Sequence, residues 1–185
     1  MSKNQNGWLG GESQDAGSKQ REVRWLTPPH IVEALGRFDL DPCGAPGHKL
    51  AERDYILERG EDGLRDPWMG RVWLNPPYGP AMTPFMHRMV EHGHGTALIF
   101  ARTETRLFHE TVWEAASAVL FLRGRLTFLS ADGVRAKANA GAPSCLVAYG
   151  RTDAEKLMKS GLPGYVVRLD AATIAERTND EPVGR

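Results

Sequence analysis

Val72-Trp73-Leu74-Asn75-Pro76-Pro77-Tyr78-Gly79-Pro80 is the stretch that decides the fold. Three apolar residues read as a short buried strand. Two prolines then forbid both strand and helix, because proline lacks an N–H and fixes φ. Beyond the break, Met82, Phe85, Met86, Met89 and Val90 recur at helical spacing, and Gly93 suits a helix stop. Strand, rigid loop and helix in that order are the unit of an α/β sheet. In such sheets ligands bind beyond the carboxyl ends of the strands, where the Asn75–Tyr78 loop falls.

The rest of the chain follows the same rhythm. Thr27 can cap a helix whose first turn holds Pro28 and Pro29, with Ile31, Val32, Leu35 and Phe38 on its apolar face. Phe38 to Asp41 reads as a strand running into the loop Pro42-Cys43-Gly44 through Gly47, and a second short strand is expected around Tyr55-Ile56. Glu58 to Met69 reads as loop or a brief helical turn with Trp68 as an anchor. Thr96 to Ala101 is a buried strand, and a helix is expected from Leu107 to Ala116. Ala118 to Leu122, Leu126 to Leu129 and Ser144 to Tyr149 read as strands, with Ala131 to Pro143 as an exposed loop. A helix over Ala154 to Met158 and a strand over Tyr165 to Leu169 complete the pattern. These elements predict one compact α/β domain over residues 23–172, a central mostly parallel sheet flanked by helices. Residues 1–22, rich in Gly, Ser, Asn and Gln, read as a flexible arm, and 173–185 as a frayed tail.

Bulk properties narrow the classes. A length of 185 residues fits one domain, and 41% apolar content supports an ordinary core. The formal net charge is zero, so any nucleic-acid contact must come from a local patch. Cys43 and Cys145 lack CxxC spacing, which argues against a zinc site or a disulfide scaffold and for a reducing, cytoplasmic setting. No apolar run reaches the length of a membrane span.

The chemistry-bearing residues cluster in the loops. Asn75 offers a side-chain oxygen and Pro76 a carbonyl, two acceptors suited to the two hydrogens of a planar amino group. Pulling on both hydrogens drives such a nitrogen towards tetrahedral geometry and frees its lone pair. Pro77 stiffens the turn, and Tyr78 presents a ring on which a base can stack, worth roughly 1–3 kcal/mol per base. Asp41, Pro42 and Cys43 lie at another strand end, where the carboxylate can accept from a ribose or attract a cation, and Gly44 and Gly47 permit close approach. Asp-Pro is also ordinary turn chemistry, and Thr27-Pro28 an ordinary helix start. The loop is not GxGxxG, so a dinucleotide site is not indicated. Arg102, Arg106, Arg123, Arg125, Arg135 and Lys137 follow the Asn75 loop and together form a candidate phosphate-contacting surface. The histidines form no metal-ligand set, so no metal is expected.

Arg24-Trp25-Leu26-Thr27-Pro28, Asp39-Leu40-Asp41-Pro42-Cys43, Trp73-Leu74-Asn75-Pro76-Pro77-Tyr78 and Gly124-Arg125-Leu126-Thr127-Phe128, in that order, resemble the small phage-type DNA N6-adenine methyltransferases (Dam-like). The resemblance covers roughly residues 23–149. It implies a Rossmann-like fold, S-adenosylmethionine as methyl donor and DNA as partner. It implies that Trp25, Thr27, Pro28, Asp41, Pro42 and Cys43 line the donor pocket, with Asp54 or Asp66 as the acid for the ribose. Asn75, Pro76, Pro77 and Tyr78 would then hold a flipped adenine. The glycine-rich donor loop of larger methyltransferases is degenerate here. Alternative readings are methylation of cytosine N4, an RNA base or a protein glutamine, or a non-catalytic nucleic-acid binder.

Overall fold

A computed structural model of the chain describes residues 25–130, 133–134 and 140–169. Seven strands form one sheet: β1 (Leu40–Asp41), β2 (Arg53–Asp54), β3 (Val72–Leu74), β4 (Gly95–Phe100), β5 (Ala118–Leu122), β6 (Ser144–Tyr149) and β7 (Gly164–Arg168). Their order across the sheet is β2-β1-β3-β4-β6-β5-β7. β1, β2, β3 and β4 pair in parallel, whereas β6 is antiparallel to β4 and β5, and β7 to β5. The expected mostly parallel sheet is therefore corrected to a mixed one, and the antiparallel pairings hold most of the registered residues. β5 nevertheless points the same way as β1–β4, so the carboxyl ends of five strands share one edge.

The helices are α1 (Pro29–Glu33), α2 (Met82–His92), α3 (Arg106–Phe108) and α4 (Arg151–Lys159). β3 shows why the sheet is covered on both faces: successive side chains point to opposite sides. Val72 and Leu74 join a core with Phe85, Met86 and Met89 of α2, while Trp73 joins another with Ile31, Val32 and Leu35 from the α1 region and Leu157 of α4. All three β3 residues are fully buried, so the strand reads as continuous apolar sequence rather than alternation.

Several local expectations shift. Pro28, not Thr27, is the N-cap of α1, and it makes no side-chain cap bond. β2 lies at Arg53–Asp54 rather than at Tyr55-Ile56, and the predicted strand over Leu126 to Leu129 is reduced to one bridge between Leu26 and Leu129. The helix expected over Leu107 to Ala116 is α3 continued by a π turn over His109–Trp113. Arg135 and Lys137, the arm at 1–22, the tail at 173–185 and the central part of the Ala131–Pro143 loop lie outside the described residues.

At the amino end of the sheet a buried ionic cluster joins the layers. Arg71 donates from Nε to Asp153 Oδ1 at 2.8 Å and from Nη1 to the carbonyls of Leu35 and Arg37. Thr96 Oγ1 donates to the same carboxylate oxygen at 3.1 Å. α4, β3, β4 and the α1–β1 connection are thereby tied together, leaving the carboxyl edge free of this scaffolding.

Candidate active site

Asn75 follows directly on β3. Its Nδ2 donates to the Trp25 carbonyl at 2.9 Å, which fixes the orientation of the amide. Its Oδ1 then faces inward, buried and without a hydrogen-bond partner. Pro76 is buried and Pro77 exposed, so the turn has one anchored and one open proline. The Tyr78 ring stacks on Phe100 with centroids 4.3 Å apart and meets the edge of Phe128 at 6.3 Å. The expected open face is thus partly corrected: one face of Tyr78 is taken by Phe100. The hydroxyl is buried without a partner, and burial pushes its pKa well up.

The segment Trp25–Pro29 runs alongside. Trp25 contributes its carbonyl to Asn75, while its half-exposed ring lies 6.4 Å from Phe128. Thr27 is 1% exposed and its Oγ1 has no partner. The Thr27 carbonyl is 3.0 Å from His48 Nε2, whose pKa burial lowers. Sequence reasoning missed His48, since a lone histidine in a Gly/Pro-rich loop carries no motif. It also missed Phe100 and the buried Ser144, which pairs in register with Phe100 across β4 and β6. Ser144 Oγ is a further buried atom without a partner.

At the end of β1, Asp41 is buried and its Oδ1 accepts from the Cys43 N–H at 2.9 Å. Burial raises the Asp41 pKa to about 7, the Cys43 bond pulls against it, and the Asp54 charge adds to the rise. Burial and the Asp41 charge push the Cys43 thiol upward as well, so it is a poor nucleophile. The close ligand approach expected at Gly44 is corrected, because the space beside it is taken by the chain itself. A Cβ there would lie 2.7 Å from Asp54 Cβ, so the glycine serves packing between β1 and β2. Gly63 is pressed in the same way against the Pro42 carbonyl.

Of the two acids proposed for a ribose, Asp66 is committed elsewhere. Its Oδ2 accepts from the Asp62 N–H at 2.7 Å and its carbonyl from Arg88. Asp54 instead lines a cavity of about 460 Å³ with Ala45, His48, Lys49, Arg59 and Glu61. Its Oδ1 is buried without a hydrogen-bond partner; burial raises the carboxyl's pKa, while the Lys49 charge, the Ala51 backbone N–H and the Arg59 and His48 charges pull against the rise. An unpaired buried acceptor beside a cavity of this size fits the ribose hydroxyls of a nucleoside donor. The orphaned Thr27 Oγ1 fits the same kind of ligand.

The basic residues divide. Arg102 and Arg123 are exposed. Arg106 is met by Glu110 at 3.4 Å, which offsets its charge. Arg125 spends Nη1 on the carbonyls of Ala140 and Gly141. Of the described members of the expected patch, Arg123 and Arg125 line one cavity. No group of His, Cys, Asp and Glu among the described residues could hold a metal, and no described helix is long and apolar enough to cross a membrane.

Fold and site together define an α/β protein whose acceptor-bearing loops gather at the carboxyl edge of its sheet. The family model for DNA N-6-adenine-methyltransferase (Dam) matches residues 15–171, and the chain belongs to that family. It is 27% identical over 113 residues to a DNA N-6-adenine-methyltransferase of Escherichia phage T1, a match covering 56% of this chain and 46% of the relative. The match thus spans about half of the relative's length. No solved structure matches the chain.

Proposed function

We propose that this chain methylates the N6 amino group of adenine in DNA, with the adenine flipped from the duplex against the Asn75–Tyr78 turn. The observation that carries the proposal is the Asn75 side chain: its amide nitrogen is engaged by Trp25 and its oxygen is buried and unpaired. A buried acceptor without a donor costs about 1–3 kcal/mol, so a site that keeps one is built for a donor that arrives with a ligand. An amino group is such a donor. Asn75 Oδ1 accepts one hydrogen and the Pro76 carbonyl the other, which localises the nitrogen lone pair for attack.

S-adenosylmethionine, when bound, supplies the methyl group on a sulfonium; its carbon–sulfur bond breaks as the bond to N6 forms, and N6 releases a proton to water. Asp54 and Thr27 would hold the ribose side of this donor, and Asp41 and Pro42 would line its pocket. Alignment and the two acceptors are the chain's own contribution, and no strong base is called for. The shared direction of β1–β5, with β6 inserted antiparallel, supports a Rossmann-like methyltransferase arrangement. Extrusion of the base is required because N6 of a stacked adenine cannot reach the turn.

The test is incubation with labelled S-adenosylmethionine and unmethylated DNA, followed by nucleoside analysis. Label in N6-methyladenine is the expected result. Label in N4-methylcytosine would move the reaction to another base, and no label in DNA from several sources would overturn the proposal.

A further inference from the structure

A second cavity, of about 490 Å³, opens beyond the carboxyl end of β5, between the start of α1 and the turn that follows Leu122. Its apolar wall includes Pro28, Ile31, Leu122, Leu126 and Pro163, and Arg123, Arg125 and His30 stand on its polar side. No acid is among its described lining residues. Leu129, also in its wall, is bridged to Leu26 in the segment that holds Asn75 through Trp25. An apolar slot whose charged side chains are two arginines matches a nucleobase joined to a phosphate, and the volume lies in the range of small-ligand sites.

The sheet order sets the distance to the reaction point. β3, which carries Asn75, and β5, which ends at the cavity, are separated by β4 and β6. Three strand spacings are roughly 14 Å, a reach of one or two nucleotides along a strand distorted by base flipping. The geometry points to a subsite for a DNA nucleotide one or two positions from the target adenine, its base against Pro28 and Leu126 and its phosphate on Arg123. This rests on the proposed DNA reaction. It gives the chain a grip on a flanking nucleotide at the sheet's own edge. Arg123 suits the phosphate because its side chain is exposed, whereas Arg125 is occupied by the Ala140 and Gly141 carbonyls and shapes the wall.

Binding of fluorescent duplexes by the full chain, without donor, tests the subsite. An abasic residue is placed in turn at each of the two positions on either side of one adenine. The wild type is expected to lose about tenfold in affinity at one of these positions. Leu126→Trp, which fills the slot, is expected to lose about as much on the intact duplex and nothing further at that abasic position. Arg123→Ala removes an exposed side chain and so keeps the fold. It is expected to lower the slope of log affinity against log salt by about one, and to be insensitive to a neutral methylphosphonate at the same step. Equal abasic penalties in wild type and Leu126→Trp, or an Arg123→Ala chain that binds as the wild type does, would overturn the subsite. Should Leu126→Trp fail to fold, Arg123→Ala decides alone. Methyl transfer to the intact duplex is read separately, so position-specific coupling without N6-methyladenine would keep the subsite and remove the proposed reaction.

Discussion

Asn75 and Trp25, fifty positions apart, are joined by one hydrogen bond from Nδ2 to a backbone carbonyl, and that bond leaves Oδ1 of Asn75 buried and unsatisfied. The amide is thus oriented by the chain before any ligand arrives. Such preorganisation is the main way a site without metal or covalent chemistry lowers a barrier.

Asn75→Ala removes the free acceptor, and its loss is expected to cost about 10²- to 10³-fold in kcat, as for other oriented hydrogen-bonding groups at a reacting centre. Donor binding, measured by calorimetry, is expected to stay within a few-fold, because Asn75 belongs to the acceptor side. Asn75→Asp keeps an oxygen but sets a carboxylate against the Trp25 carbonyl, so it is expected to be as slow as the alanine variant. Near-normal turnover in either variant would remove Asn75 from the chemistry.

Asp41 predicts a pH dependence of stability. Its ordinary pKa near 3.8 rises to about 7 on folding, chiefly through burial. The folded state therefore binds more protons than the unfolded one between these values, and stability falls as pH rises through that window. The shift corresponds to a loss on the order of 3–4 kcal/mol between pH 4 and pH 8. Asp41→Asn keeps an acceptor for the Cys43 N–H and has no charge to bury. It is expected to flatten the urea midpoint across this window and to exceed the wild type in stability at pH 8. A wild type equally stable at pH 5 and pH 8 would show that Asp41 does not titrate as its burial implies.

Asp153→Ala strips the buried Arg71 of its ionic partner. An uncompensated buried charge typically costs about 3–5 kcal/mol, and a loss of that order in denaturant-derived stability is expected. Arg71→Met combined with Asp153→Leu removes both charges and is expected to recover part of it. No recovery would mean that the Thr96 and backbone bonds, rather than the ion pair, hold the cluster.

Much of this site was legible because its punctuation is local. Two prolines after Val72-Trp73-Leu74 and a glycine after His92 mark the ends of β3 and α2 without knowledge of the rest of the fold. Strand direction was not legible in the same way. β5 and β6 have the same buried apolar character as β4, and only pairing across the sheet makes β6 antiparallel. The choice between Asp54 and Asp66 was equally hidden, since both follow loops of similar composition. What separates them is where Asp66 spends its oxygen, on the Asp62 N–H. Exposed arginines look alike in sequence, and only the fold shows that Nη1 of Arg125 is held by the carbonyls of residues fifteen and sixteen positions on.

Tyr78 offers the sharpest separation of stability from function. Its ring is fixed by Phe100 and Phe128, but its hydroxyl is buried without a partner. Deleting an unsatisfied buried hydroxyl relieves a penalty of about 1–3 kcal/mol, so Tyr78→Phe is expected to match or exceed the wild type in stability. Tyr78→Ala removes the stacked ring and is expected to lose about 2–3 kcal/mol, in line with aromatic truncation at a partly buried position. Turnover then assigns the hydroxyl its role. If the ring alone receives the base, Tyr78→Phe keeps kcat and KM for DNA while Tyr78→Ala raises KM about tenfold. If the hydroxyl meets the substrate, Tyr78→Phe is stable and slow. A chain that keeps an unpaired buried hydroxyl in the same turn as an unpaired Asn75 oxygen is expected to show the second result: thermal stability at or above wild type, with kcat reduced at least tenfold. A Tyr78→Phe variant that is both destabilised and fully active would mean that the hydroxyl has a structural partner instead.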